Sequence, residues 1–92
     1  MGDPAIKKRL ARAKEAAIDN LLKNGHKIIP SDNSIFCILG VRKKEIRMIR
    51  VVVDKIKDED IKIVQAFEPP GICTKEIWCR KGGQKDFEIT EI

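Results

Sequence analysis

Tyrosine is absent from this chain, aromatics make up 4% of its 92 residues, and glutamine occurs only at Gln65 and Gln84. So few rings supply almost no stacking platform for unpaired bases, which weighs against a single-strand-binding surface. No stretch approaches the roughly 20 apolar residues of a membrane-spanning helix. There is no glycine-rich phosphate loop and no nucleophile motif, and His26 is the one histidine. Nucleotide-dependent and small-molecule enzymes of the familiar kinds are thereby disfavoured. Internal repeats, low-complexity tracts and linkers are missing too, so residues 1–92 read as a single small domain.

Cysteine is present but unpatterned. Cys37, Cys73 and Cys79 are odd in number and form no CxxC pair, so buried, reduced thiols are expected. A metal site joining Cys73, Cys79 and His26 is poorly supported, because five intervening residues and no fourth ligand depart from zinc spacing. A Cys73–Cys79 disulfide is disfavoured by the cytoplasmic location expected from a start, Met1-Gly2-Asp3-Pro4, with no apolar signal segment. Heavy use of isoleucine and lysine beside scarce glutamine suggests a thermophilic source or an AT-rich genome.

What the chain has is charge and apolar patterning. Hydrophobic residues make up 42% and charged residues 36%, which is a globular balance. Lys and Arg number 19 against 14 Asp and Glu, for a net charge of +5. The excess is one-sided: residues 1–55 carry 13 bases against 6 acids, a net +7, whereas residues 56–92 are at −2. Lys7, Lys8, Arg9, Arg12 and Lys14 on a first helix, and Arg42, Lys43 and Lys44 on a hairpin tip, point to an anionic partner held through sequence-independent, salt-sensitive phosphate contacts.

Periodicity places these residues. A helix is predicted from about Pro4 to Asn24, capped by Asp3 and ended by the left-handed residue that Asn24-Gly25 supplies. Ile6, Leu10, Ala13, Ala17 and Leu21 form its inward stripe. A short strand, His26 to Pro30, is followed by a Ser31-Asp32-Asn33 turn. Ile35 to Val41 is apolar at almost every position, which predicts a central strand buried on both faces. Ile46 to Val53 pairs with it across the charged turn Arg42-Lys43-Lys44-Glu45, and alternation puts Arg47 on one of its faces and Arg50 on the other. Asp58, Glu59 and Asp60 open a second helix, favoured over a strand, that Pro69-Pro70-Gly71 stops. Strands Lys75 to Arg80 and Asp86 to Ile92 close the chain around Lys81-Gly82-Gly83-Gln84, packing Trp78 on Phe87. The fold class is therefore α/β (α+β), a small three-layer domain in the order α-β-β-β-α-β-β with a mixed central sheet.

The run from the helix carrying Glu15, through Asn24-Gly25-His26-Lys27-Ile28-Ile29, to the hairpin ending Ile49-Arg50-Val51-Val52, resembles the PD-(D/E)xK superfamily of restriction-endonuclease-like and Holliday-junction-resolvase-like nucleases. The resemblance covers roughly residues 5–80 and lies in the pattern of elements. It implies a restriction-endonuclease-like fold. In that family an acid within the second core strand and an acid-x-lysine triplet near the end of the third hold one or two Mg²⁺ ions and activate water. On this chain those positions fall on Cys37, Arg50 and Val52, none of which fits the pattern. Arg50 in place of an acid would hold a phosphate directly, or pair with a carboxylate such as Glu15 or Asp32. The resemblance thus implies a catalytically inactive, nuclease-like domain without a cofactor that binds nucleic acid, duplex DNA in particular, alone, as a homodimer or in a larger nucleic-acid-processing complex. Two alternatives stay open: a Mg²⁺-dependent endonuclease with carboxylates relocated to Glu15, Asp32 and Asp54, and a protein-interaction module using a sheet edge or the closing hairpin.

Overall fold

The computed structural model describes residues 4–31, 35–69, 71–82 and 86–92. The cap expected at Asp3, the turn residues Asp32, Asn33, Gly83 and Gln84, the helix stop at Pro70 and the side chain of Ile6 lie outside the described residues. The rest follows the expected order: α1 (Pro4–Lys23), β1 (Lys27–Pro30), β2 (Ile38–Arg42), β3 (Glu45–Val53), α2 (Asp58–Ala66), β4 (Cys73–Arg80) and β5 (Glu88–Glu91). The strands form one sheet in the order β1-β2-β3-β4-β5. Neighbours are antiparallel except β3 and β4, which run parallel and are joined through α2. A parallel pair needs a crossover of this kind, and the helix between two strands supplies it.

Helix α1 ends where Gly25 takes φ 84°. The N–H of His26 bonds the Leu21 carbonyl and that of Gly25 bonds the Leu22 carbonyl, the paired closure of a Schellman motif. Ala13, Ala17 and Leu21 then face the sheet and are buried with Ile38, Ile49, Val51 and Trp78. Small residues let the helix lie close. Gly40 on β2 serves the same end, since a Cβ there would meet the Leu21 side chain at 3.1 Å.

On the opposite side of the sheet a smaller core joins Phe36, Val64 and Ile77, with Met48, Val52, Ile56, Ile61 and Phe67 packed around it. The stretch Ile61 to Phe67, readable as helix or strand from its spacing, is helical through Ala66. Asp60 accepts the Lys57 N–H at the start of α2. At its other end the Lys75 ammonium, reaching from β4, donates to the Val64 and Phe67 carbonyls at 3.0 and 2.9 Å. A cation on the last carbonyls completes groups that the helix cannot satisfy itself and complements its dipole.

One strand departs from expectation. Regular pairing in β2 begins at Ile38, not Ile35, and β2 is buried on the α1 side only: Ile38 and Gly40 are buried, whereas Leu39 and Val41 are half-buried. Helix α2 packs on β4, and among the described residues no helix packs on that side of β2. Trp78 and Phe87 do pack, with ring centroids 5.2 Å apart.

Candidate functional site

The two arginines of β3 do take opposite faces, and each meets a carboxylate that is distant in sequence. On the α2 side, Arg50 donates from Nε to Asp60 at 3.0 Å and from Nη1 to the Ile35 carbonyl at 3.0 Å. Its carboxylate partner among the described residues is Asp60, which also caps α2, and not Glu15. On the α1 side, Arg47 grips Glu76 with both Nε and Nη2. Glu76 also accepts from Thr74 Oγ1 and Trp78 Nε1, each at 3.0 Å, and the Arg47 guanidinium lies 5.2 Å from the Trp78 ring centre. Burial pushes the Glu76 carboxyl up, but the hydrogen bonds from Arg47, Trp78 and Thr74 outweigh it, and its pKa falls below the ordinary carboxylate value. With so many donors already on it, Glu76 has little left to offer a metal ion.

The positions equivalent to the nuclease residues are not brought together. Cys37 packs on the α1-side core and donates its N–H to the Ile49 carbonyl at 2.8 Å. Val52 packs on the α2-side core, and Arg50 shares its face by alternation. The sheet therefore lies between Cys37 and the other two. Of the fallback carboxylates, Asp54 follows β3 and pairs with Arg9 of α1. Glu15 is exposed on α1, and six residues from Arg9 place it about 9 Å along the axis and roughly 120° around it. Glu15 and Asp54 thus do not share a site, and Asp32 lies outside the described residues. Among the described residues no cluster of three metal-ligating side chains occurs.

Cys73 and Cys79 stand six positions apart on the single strand β4, roughly 20 Å at the rise of a strand. Neither a disulfide nor a shared metal can join them, and all three cysteines are free. Burial pushes the Cys79 thiol up, which suits an inert core residue. His26 is buried at the end of α1, with Nδ1 3.2 Å from the Leu21 carbonyl oxygen and Nε2 3.4 Å from Glu45.

The basic residues divide into held and unheld. Arg9 is paired with Asp54, Arg50 with Asp60, and Arg42 with both Glu45 and the Asn24 carbonyl that ends α1. The Asp54 carboxyl lies below its ordinary value, through the Arg9 hydrogen bond first, with the Gly82 N–H contributing. Among the described residues Lys7, Lys8, Arg12, Lys14, Lys43 and Lys44 make no ion pair, and of these all but Lys14 are exposed.

Tertiary structure also splits the basic surface that the sequence suggests. Arg42 ties the hairpin tip to the C-terminal end of α1, whereas Lys8 lies some 24 Å away along the same helix. Glu15 and Asp19 stand between. At the N-terminal end the contact between Arg9 and Asp54 brings α1 over the ends of the parallel strands, because Val53 and Arg80 are register partners and the Asp54 N–H bonds the Arg80 carbonyl. Lys55, Arg80 and Lys81 thereby join Lys7, Lys8, Arg9 and Arg12 around one end of the sheet. The sequence reading missed these three, since Arg80 and Lys81 belong to the half of the chain with net negative charge and Lys55 stands apart from the basic runs on the first helix and the hairpin tip. Their signal was positional: they sit at the C-terminal ends of two parallel strands, where α/β sheets bind ligands. The first turn of α1 contains no acid, so its dipole adds to the positive field.

No protein-family model matches the chain, and no curated protein or solved structure matches it either.

Proposed function

We propose that this chain is a nucleic-acid-binding domain on a restriction-endonuclease-like scaffold, catalytically silent, that holds duplex DNA by its phosphates. One observation carries the reading: the end of the sheet where α1 begins gathers exposed bases from three separate segments, Lys7, Lys8 and Arg12, then Lys55, then Lys81, around the Arg9–Asp54 bridge. The scarcity of rings favours backbone contact over base stacking. The separation of Cys37 from Arg50 and Val52 supports silence over catalysis, because two-metal or one-metal hydrolysis needs oxygen ligands converging on one point.

Binding of the purified domain to labelled double- and single-stranded DNA, across a salt series and with and without Mg²⁺ and Mn²⁺, tests this directly. The expected result is duplex retention without cutting, with a log–log salt slope near −3.6 for about four phosphate contacts. Lys8→Glu with Arg12→Glu should weaken binding at least tenfold and reduce that slope by about 2. Metal-dependent cutting overturns the silent reading, and no duplex binding at low salt overturns the nucleic-acid reading.

A further inference from the structure

The side of the sheet that carries α2 is only half covered. Two register rows cross its uncovered half: Ile29, Leu39 and Met48, then Lys27, Val41 and Ile46. All six share that side, since Met48 packs on the α2-side core while the intervening Ile28, Ile38 and Ile49 belong to the α1-side core. Ile29 is 49% exposed, and Leu39, Val41, Ile46 and Met48 are half-buried, and among the described residues no helix packs over β1 or β2 on this side. Ile72, just ahead of β4 at the Ile46 end of the rows, is 61% exposed. Among the described residues, exposed lysines stand at the border of this apolar floor: Lys27 at the β1 edge, and Lys43 and Lys44 at the hairpin tip.

We propose that this half-face docks an amphipathic helix of a partner protein, apolar on the side that meets β1–β3 and acidic along its border, lying beside α2. The spacing fits a helix. β2 is two strands from β4, about 9.6 Å across the sheet, which is the axial separation at which helices pack. Helix α2 already shows the mode on the other half, with Ile61 and Val64 turned to the sheet and acids in its first turn. The lysine rim selects an acidic helix over a basic one. A second copy of this chain fits poorly, because the outward side of its α2 presents exposed Glu59, Lys62 and Gln65, and its own lysine rim would face this one. Edge-to-edge association is also discouraged, by Lys27 and Pro30 on β1 and by Glu88 and Glu91 on β5. The proposal is independent of DNA binding, whose residues cluster where α1 begins.

The test uses three synthetic peptides against isotope-labelled protein: an amphipathic helix with leucines at i, i+3, i+4 and i+7 and glutamates elsewhere, the same peptide with lysines for glutamates, and a scrambled form of the first. The acidic peptide should shift the amides of residues 27–29, 39–41 and 46–48, and bind at least tenfold tighter than either control. Ile29→Asp with Leu39→Asp should weaken it at least tenfold, while Lys8→Glu with Arg12→Glu leaves it unchanged. Equal binding of the acidic and basic peptides, shifts confined to other surfaces, or no binding at millimolar peptide each overturn the proposal. So does concentration-dependent dimerisation abolished by Ile29→Asp, which would make a second copy the occupant. The peptide comparison on the wild-type chain stands even where the double variant does not fold.

Discussion

The two sides of one sheet are closed to different degrees. Helix α1, with 20 residues, reaches across β1, β2 and β3 and seals Ile38, Ile49 and Val51 beneath it. Helix α2, with 9, covers β4 and leaves β1 and β2 open on its side. Yet β2 and β3 carry apolar side chains on both faces. Apolar patterning therefore states which surfaces are able to be buried, and helix length decides which of them are.

Truncating a side chain on each side of the sheet should have unequal costs. Trp78→Ala, at 0% exposure beneath the α1 side, should cost about 3–5 kcal/mol in chemical denaturation. Ile29→Ala on the open half should cost under about 0.5 kcal/mol. Similar losses at both positions would mean that the two sides are equally closed.

The ion pairs extend the contrast. Glu76→Ala strands the Arg47 guanidinium in a half-buried place and should cost about 3 kcal/mol, whereas Arg47→Met with Glu76→Met together should cost less than that single change. The pH dependence has a definite sign. Because the folded Glu76 pKa is lowered, its contribution is complete above the unfolded value of about 4.3 and is lost as pH falls through the folded value. Glu76→Gln should flatten that part of the acid limb of stability against pH, and an unchanged limb would assign acid sensitivity elsewhere.

A smaller effect belongs to the short helix. Lys75→Met removes the ammonium from the Val64 and Phe67 carbonyls and should cost about 1 kcal/mol. Faster amide exchange at the end of α2, with exchange in α1 unchanged, is the expected pattern. Uniform acceleration would instead show that α2 unfolds only together with the whole domain.

Much of the architecture was legible because it is local. The stripe Leu10, Ala13, Ala17 and Leu21 marks a helix by its spacing, Gly25 ends it by tolerating a left-handed backbone, and the β3 alternation places one arginine on each face. The parts that failed are those in which two local readings meet. The apolar run of β2 resembles a strand sealed on both sides, and nothing within it measures the length of a helix some 17 residues later. A carboxylate beside Arg50 was expected, with Glu15 as one candidate, and the start of α2 delivers Asp60 instead of Glu15. The basic surface read as one stripe because its residues lie on α1 and on the next hairpin, and α1 is long enough to hold them apart.

Side-chain periodicity and composition were enough to set the elements and their order, the inward face of α1, the placement of one arginine on each face of β3, and the excess of positive charge in the first half of the chain. Tertiary structure alone decided that Arg47 meets Glu76, 29 residues away, that Lys55, Arg80 and Lys81 stand beside the start of α1, and that half of one sheet face stays open. These are contacts and coverage between segments remote in sequence. They depend on strand order, register and helix length acting together, which no single stretch of residues encodes.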